Sequence, residues 1–147
     1  MAAQLGLPFA DTDDLVLAAT GRTAVEWVAD CEPAFRVEEA AAVNRALSGF
    51  DGVLALGGGA LVTSAVRAAL TAAGVPVVHL QADIATLLGR IGASDTRPLL
   101  AGDVRQRLVS LAAQRRDLYA HYPGVATDNL DVQAVVRRLV DHLAVYR

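Results

Sequence analysis

Asp11-Thr12-Asp13 sets two carboxylates two residues apart at the end of a short apolar run. In an extended segment residues i and i+2 project to the same face, so the two carboxylates converge at a strand's carboxyl end, where open α/β sheets bind ligands. One carboxylate can organise a metal ion's water shell while the other accepts a proton from a hydroxyl. The alternative is structural: the aspartates start the next helix, with Asp13 as its cap. Arg36 and Arg115 are a second feature. Arg36 shares a helical stripe with Ala40, Val43 and Leu47, and Arg115 interrupts the apolar stripe of Leu108, Leu111, Leu118 and Tyr119. A guanidinium on an inward face must find an anion or acceptors, because leaving it unpaired is costly. Two such arginines can clamp a ligand carboxylate. Alternatively each pairs with a nearby acid such as Glu38 or Glu39, or carries its head out to solvent.

Gly57-Gly58-Gly59 follows a buried apolar run and precedes a helical pattern. Without side chains, such a backbone can approach a ligand closely and present N–H groups near a helix N-terminus; a tight strand-to-helix turn is the plain reading. Arg97-Pro98-Leu99-Leu100 lies in a segment of breakers and can place a cation over a transferring phosphate, or be a solvated loop. His79 reads as a core or strand-edge histidine, and Trp27 and Cys31 as packing residues. His121 and His142 have no metal-ligand spacing with other candidates.

Alternating elements must hold these groups. Short apolar runs at Leu7–Ala10, Val53–Leu56, Val77–Leu80 and, more weakly, Val125–Thr127 read as strands, and the helical patterns between them indicate α/β with a largely parallel sheet. The middle two lack polar alternation, as expected of strands covered on both faces. Thr23 with Glu26 makes a capping box opening Ala24–Asp30 after Gly21 closes the preceding helix. Pro33 fits the first turn of the next helix, to about Ser48. Leu61–Ala73 ends at Gly74, and Asp83 can cap Ile84–Ile91. Val104, Leu108, Leu111, Ala112, Leu118, Tyr119 and Tyr122 form one stripe, and Val132, Val135, Val136, Leu139 and Leu143 another.

The chain has 147 residues, a size that indicates one domain. All 13 basic residues are arginine, and the net charge is −3, which argues against a broad nucleic-acid surface. Apolar stretches break well short of the roughly 18 residues a membrane span needs. The lone Cys31 and the absence of a charged leader followed by an apolar core fit a reducing cytoplasm.

Taken in order, Leu7-Pro8-Phe9-Ala10-Asp11-Thr12-Asp13, Phe35-Arg36-Val37-Glu38-Glu39, Leu56-Gly57-Gly58-Gly59-Ala60, Arg90 with Arg97-Pro98-Leu99-Leu100, and Arg115 four residues before Tyr119 resemble shikimate kinase. The resemblance spans essentially the whole chain. It implies a P-loop kinase-like α/β fold, similar to nucleoside monophosphate kinases: a parallel sheet flanked by helices, in one domain over residues 1–147, with 90–103 as a lid. The implied reaction is phosphorylation of the shikimate 3-hydroxyl by ATP with Mg²⁺, in aromatic amino-acid biosynthesis. By the same pattern Asp13 holds the accepting hydroxyl and assists its deprotonation, and Asp11 supports the Mg²⁺ hydration shell. Arg36 and Arg115 clamp the shikimate carboxylate, and Gly57, Gly58 and Gly59 line the pocket. Arg97 closes over the phosphates, and Arg90 lies near the adenine. Where the family often carries a further basic residue near adenine, this chain has Asp128-Asn129-Leu130-Asp131.

The family opens with a strand, a Gly-x-x-Gly-x-Gly-Lys-Ser/Thr loop and a helix, whereas Met1-Ala2-Ala3-Gln4-Leu5-Gly6 resembles only the end of that helix. The expectation is a chain short of roughly 20 to 25 residues, including the family's central first strand. Such a chain would bind ATP poorly and turn over little, and its exposed strand edges could drive self-association of what is otherwise a monomer. The competing readings are a degenerate, non-catalytic shikimate-binding or partner-completed protein, and a related small-molecule kinase such as one for gluconate.

Overall fold

Turn residues and helix caps divide the chain into short elements, and most of the longer helices begin where a side chain takes over an unsatisfied backbone group. The structure is a computed structural model and describes residues 1–91 and 103–144. These residues form two compact units, residues 2–75 and residues 76 onward.

In the first unit a single helical turn, α1 (Ala2–Leu5), leads into β1 (Phe9–Asp11), α2 (Thr12–Thr20), α3 (Ala24–Gly49), β2 (Val53–Ala55), a 3₁₀ turn (Ala60–Val62) and α4 (Ser64–Ala73). β1 and β2 are parallel neighbours, with Phe9 opposite Val53, Ala10 opposite Leu54 and Asp11 opposite Ala55. That register brings the end of β1 beside the approach to Gly57. Gly21 and Gly74, at φ 71° and 63°, close α2 and α4 in the left-handed conformation that glycine adopts without strain. The Thr23–Glu26 capping box is formed in full: Thr23 Oγ1 accepts the Glu26 N–H, and Glu26 accepts the Thr23 N–H at 2.8 Å. α3 is continuous except at Cys31, whose φ of −156° and ψ of 93° are extended. The two helices read from the sequence are therefore one element broken at Cys31, with Pro33 just after the break, where its missing N–H costs little. Cys31 is exposed, not a packing residue, because the break turns it outward.

The core of this unit joins α2 to α3. Val16, Phe35 and Ala42 are buried, with Leu15, Ala24, Trp27 and Val28 packed around them. Trp27 fills this edge as its sequence context suggested. Its indole N–H donates to Thr20 Oγ1 (3.1 Å), while the Arg22 guanidinium lies 4.2 Å from the ring centroid. α3 also packs against α4.

The second unit contains β3 (His79–Gln81), α5 (Ile84–Ile91), α6 (Val104–Tyr119), β4 (Gly124–Ala126) and α7 (Val132–Leu143). β3 and β4 are again parallel, pairing His79 with Gly124 and Gln81 with Ala126. The described strands thus form two separate two-stranded parallel sheets. Asp83, Asp103 and Asp131 cap α5, α6 and α7 through their carboxylates. α7 packs against β4, and Leu80 on β3 remains 54% exposed, so the double coverage expected of that strand is not met among the described residues. Val132 is 74% exposed: it is the first residue after the Asp131 cap, and the buried stripe of α7 begins only at Val135 and Val136. Ala112 likewise lies outside the half-buried stripe of α6. No described helix is long and apolar enough to cross a membrane.

His79 stacks on Tyr119 with ring centroids 4.4 Å apart, and its buried Nδ1 has no hydrogen-bond partner among the described residues. Burial pushes its imidazole below the ordinary value. As pH falls through about 6.5 the unfolded chain takes up this proton before the folded one does, so stability is full above that pH and declines below it. Asp13 and Glu39, whose carboxyl groups are raised, act in the opposite direction at lower pH. Urea unfolding at pH 7.5 and 5.5 isolates the histidine by difference: His79→Phe should lose less stability than wild type over that interval, and equal losses would contradict this. In the same assay Thr23→Ala should cost about 1 kcal/mol through loss of the cap.

Candidate functional site

The turn from β1 into α2 is fixed by its own polar side chains. Asp11 is the N-cap of α2, with φ −117° and ψ 135°, and its Oδ1 accepts the Asp13 N–H at 2.9 Å. Asp13 is therefore not the cap, and the two carboxylates are not neighbours by strand alternation. Asp11 ends the strand and Asp13 stands on the first turn of the helix. Thr12 between them is fully buried, and its Oγ1 accepts the Gly57 N–H (3.0 Å), tying this turn to the loop after β2. Desolvation raises the Asp13 carboxyl above its ordinary value and Asp11 adds to the rise, while Arg36 opposes it.

Arg36 projects from α3 one turn beyond the Cys31 break. Its Nη1 donates to Glu39 Oε2 (2.8 Å) and its Nη2 to Glu32 Oε1 (2.7 Å), and the guanidinium carbon lies 5.1 Å from the centroid of the Phe35 ring. The arginine is thus both inward and paired, with Glu39 and Glu32 rather than Glu38. The Glu39 side chain is 1% exposed, the Glu32 side chain 42%. Burial alone would lower the Arg36 pKa, but the two carboxylates outweigh it and hold the cation. Burial raises the Glu39 carboxyl while Arg36 opposes the rise, and Glu39 Oε1 is buried without a hydrogen-bond partner among the described residues.

The glycine segment explains where these groups point. None of Gly57, Gly58 and Gly59 has positive φ, so their role is not to make a left-handed turn. A Cβ on Gly57 would lie 2.7 Å from Glu39 Oε1 and 3.3 Å from Asp13 Oδ1; one on Gly59 would lie 2.5 Å from Arg36 Nη2. Gly58 has open space instead. The triplet leads into the 3₁₀ turn, with Gly57 C=O accepting the Ala60 N–H, and not directly into an α-helix N-terminus. Asp13, Glu39 and Arg36 therefore converge on a backbone that only glycine leaves open.

The remaining candidates lie in the second unit or outside the described residues. Arg115 is half-buried on α6, in line with Leu108, Leu111, Leu118 and Tyr119. Arg90, in the last turn of α5, donates to Thr127 Oγ1 (3.0 Å) and to the Thr127 carbonyl (2.9 Å). Asp128 accepts the Asp83 N–H at 2.8 Å, so the acidic loop after β4 has a structural use in fastening the start of α5. Arg97 and residues 92–102 of the expected 90–103 lid lie outside the described residues, with Ile91 and Asp103 on either side.

Glu39, Glu32 and Thr12 were not singled out as site residues from the sequence. Glu39 had a readable signal, since it falls on the stripe of Phe35, Ala42, Val43 and Ala46 and is the charged member of a buried face. Among the described residues no group of three or more His, Cys, Asp or Glu side chains could hold a metal ion.

Chemically, the first unit combines a held guanidinium suited to a carboxylate, an aspartate with a raised pKa suited to a hydroxyl, and bare backbone between them. A profile of the shikimate kinase family matches residues 1–144. The shikimate kinase of Streptomyces avermitilis is 40% identical over 146 residues, covering 97% of this chain and 84% of that protein. That of Rhodococcus jostii is 38% identical over 148 residues, covering 98% and 87%. Among solved structures, the shikimate kinase of Acinetobacter baumannii in complex with shikimate superposes with a TM-score of 0.90 at 27% identity, over 99% of this chain and 83% of that one. The Bacteroides thetaiotaomicron enzyme, at 22% identity and a TM-score of 0.81, supports the fold alone. The fold is α/β of the P-loop kinase type, and the chain belongs to the shikimate kinase family.

Proposed function

We propose that the site on residues 2–75 binds shikimate, with its carboxylate on Arg36 and its 3-hydroxyl on Asp13, for phosphorylation by ATP. The convergence of Asp13, Glu39 and Arg36 on Gly57 and Gly59 carries this reading. A hydroxyl held by Asp13 has a proton acceptor whose affinity for protons is already raised. Arg36 fixes the other end of the ligand, so that one rather than another hydroxyl reaches the aspartate. Gly57, Gly58 and Gly59 line the pocket between them. By the family pattern Arg115 is assigned to carboxylate recognition, Arg97 to the phosphates and Arg90 to the adenine side.

Mg²⁺ supplies neutralisation of phosphate charge when it is bound with the nucleotide. Asp11 engages the backbone through Oδ1, and the described residues hold no three-ligand cluster. This donor set fits an outer-sphere partner of the hydrated ion, with Asp11 as its carboxylate, rather than a metal cage built by the protein.

A second reading concerns the polypeptide itself. Residues 1–147 contain no lysine and no Gly-x-x-Gly-x-Gly-Lys-Ser/Thr sequence. Phosphoryl transfer depends on such groups to position and stabilise the phosphates. We infer that this polypeptide alone binds the acceptor without appreciable turnover. A coupled assay with ATP, Mg²⁺ and shikimate should show no rate above the enzyme-free control, and a clear rate would contradict the inference.

Calorimetric titration tests the acceptor site. Wild type should bind shikimate, and Gly59→Ala, which drives a methyl group into the Arg36 guanidinium, should weaken binding at least tenfold, roughly the loss of one charge-assisted contact. Undiminished affinity would reject the assignment. Arg36→Ala should also destabilise the fold by about 3–5 kcal/mol, since it strands the buried Glu39 carboxylate. Adding Glu39→Gln should restore much of that stability but not the binding.

A further inference from the structure

The two carboxylates on Arg36 are not equivalent. Glu39 is enclosed at 1% exposure and cannot leave without stranding its charge. Glu32 is 42% exposed, stands immediately after the extended Cys31, and holds only the outer nitrogen Nη2. Nη2 is also the atom nearest the bare Cβ position of Gly59, at 2.5 Å. The nitrogen that packs against Gly59 is thus already held by a solvent-accessible carboxylate. A ligand carboxylate arriving there meets a nitrogen that already gives one of its two N–H groups to Glu32 and, with Glu39 and Asp13 also close to Arg36, an excess of negative charge.

We propose that Glu32 is a built-in competitor for the ligand carboxylate: it holds Arg36 Nη2 in the free protein and turns out to solvent when a carboxylate ligand takes its place. The proposal rests on the acceptor-site reading above. It makes Glu32 a specificity-determining residue that acts through Arg36. Displacement keeps Nη2 paired at every stage, while Glu39 holds Nη1 throughout. It also sets a threshold, because only a ligand carrying an anion can compensate for the ion pair it breaks. An uncharged analogue leaves Glu32 in place and gains nothing from Arg36.

Titration of wild type, Glu32→Gln and Glu32→Ala with shikimate, and with its neutral analogue in which the carboxylate is reduced to an alcohol, tests this. Melting curves confirm that each variant is folded. Removing the competitor's charge should tighten shikimate binding by about two- to fivefold in both variants, the range of a partly exposed ion pair. Affinity for the neutral analogue should not change. A variant that weakens shikimate binding would show that Glu32 supports Arg36 instead, and would overturn the proposal. Unchanged shikimate affinity, or equal shifts for both ligands, would overturn it as well, the latter pointing to a merely structural effect. If wild type binds shikimate and Gly59→Ala does not, such failures fall on Glu32 alone. If wild type does not bind shikimate, the acceptor-site reading fails and this proposal with it.

Discussion

The ion pair between Arg36 and Glu39 is the constraint on which the site depends. A glutamate at 1% exposure is tolerable only with a cation held against it, and the i,i+3 spacing on α3 supplies that cation at 2.8 Å. The pairing fixes the guanidinium on the inward face of the helix, where it would otherwise be free to seek water. It also leaves Glu39 Oε1 unsatisfied and directed at Gly57. A buried group without its hydrogen bond is costly, so this oxygen weakens the fold beside the proposed site.

Several features of the first unit surround that pair. The break at Cys31 and Pro33 starts a fresh helical segment whose first turns carry Glu32 and Arg36 together. The register of β1 with β2 sets Asp11 opposite Ala55 and so brings the start of α2 alongside the glycine segment. Thr12, fully buried, locks the two by accepting the Gly57 N–H. Gly57 and Gly59 then stay bare because the carboxylate and the guanidinium occupy the space a side chain would need. The glycines are demanded by approach distance rather than by backbone conformation.

Much of this was legible in the sequence because it is local. Caps at Thr23 and Asp83, the glycine stops and the inward stripe of Arg36, Ala40, Val43 and Leu47 on α3 follow from periodicity and side-chain chemistry, and the structure bears them out. Residue type and spacing nominated Asp11, Asp13, Arg36 and the glycines as candidates, and the family pattern added their expected roles. Less legible was anything requiring two elements at once. The order of Asp11 and Asp13 around the N-cap depends on where β1 stops, one residue later than the apolar run suggests. Which acids pair with Arg36 depends on helix geometry past a break. The 3₁₀ turn after the glycines replaces the expected helix start because Gly57 C=O is taken by Ala60.

The central claim is that Arg36, held by Glu39 beneath Gly59, receives the ligand carboxylate. Nitrogen-15 NMR on the wild-type chain, titrated with shikimate, observes this without any substitution. The account predicts that the Arg36 side-chain N–H signals and the Gly59 amide shift saturably with one common affinity. Saturable shifts confined to other residues, with the Arg36 and Gly59 signals unmoved, would contradict it.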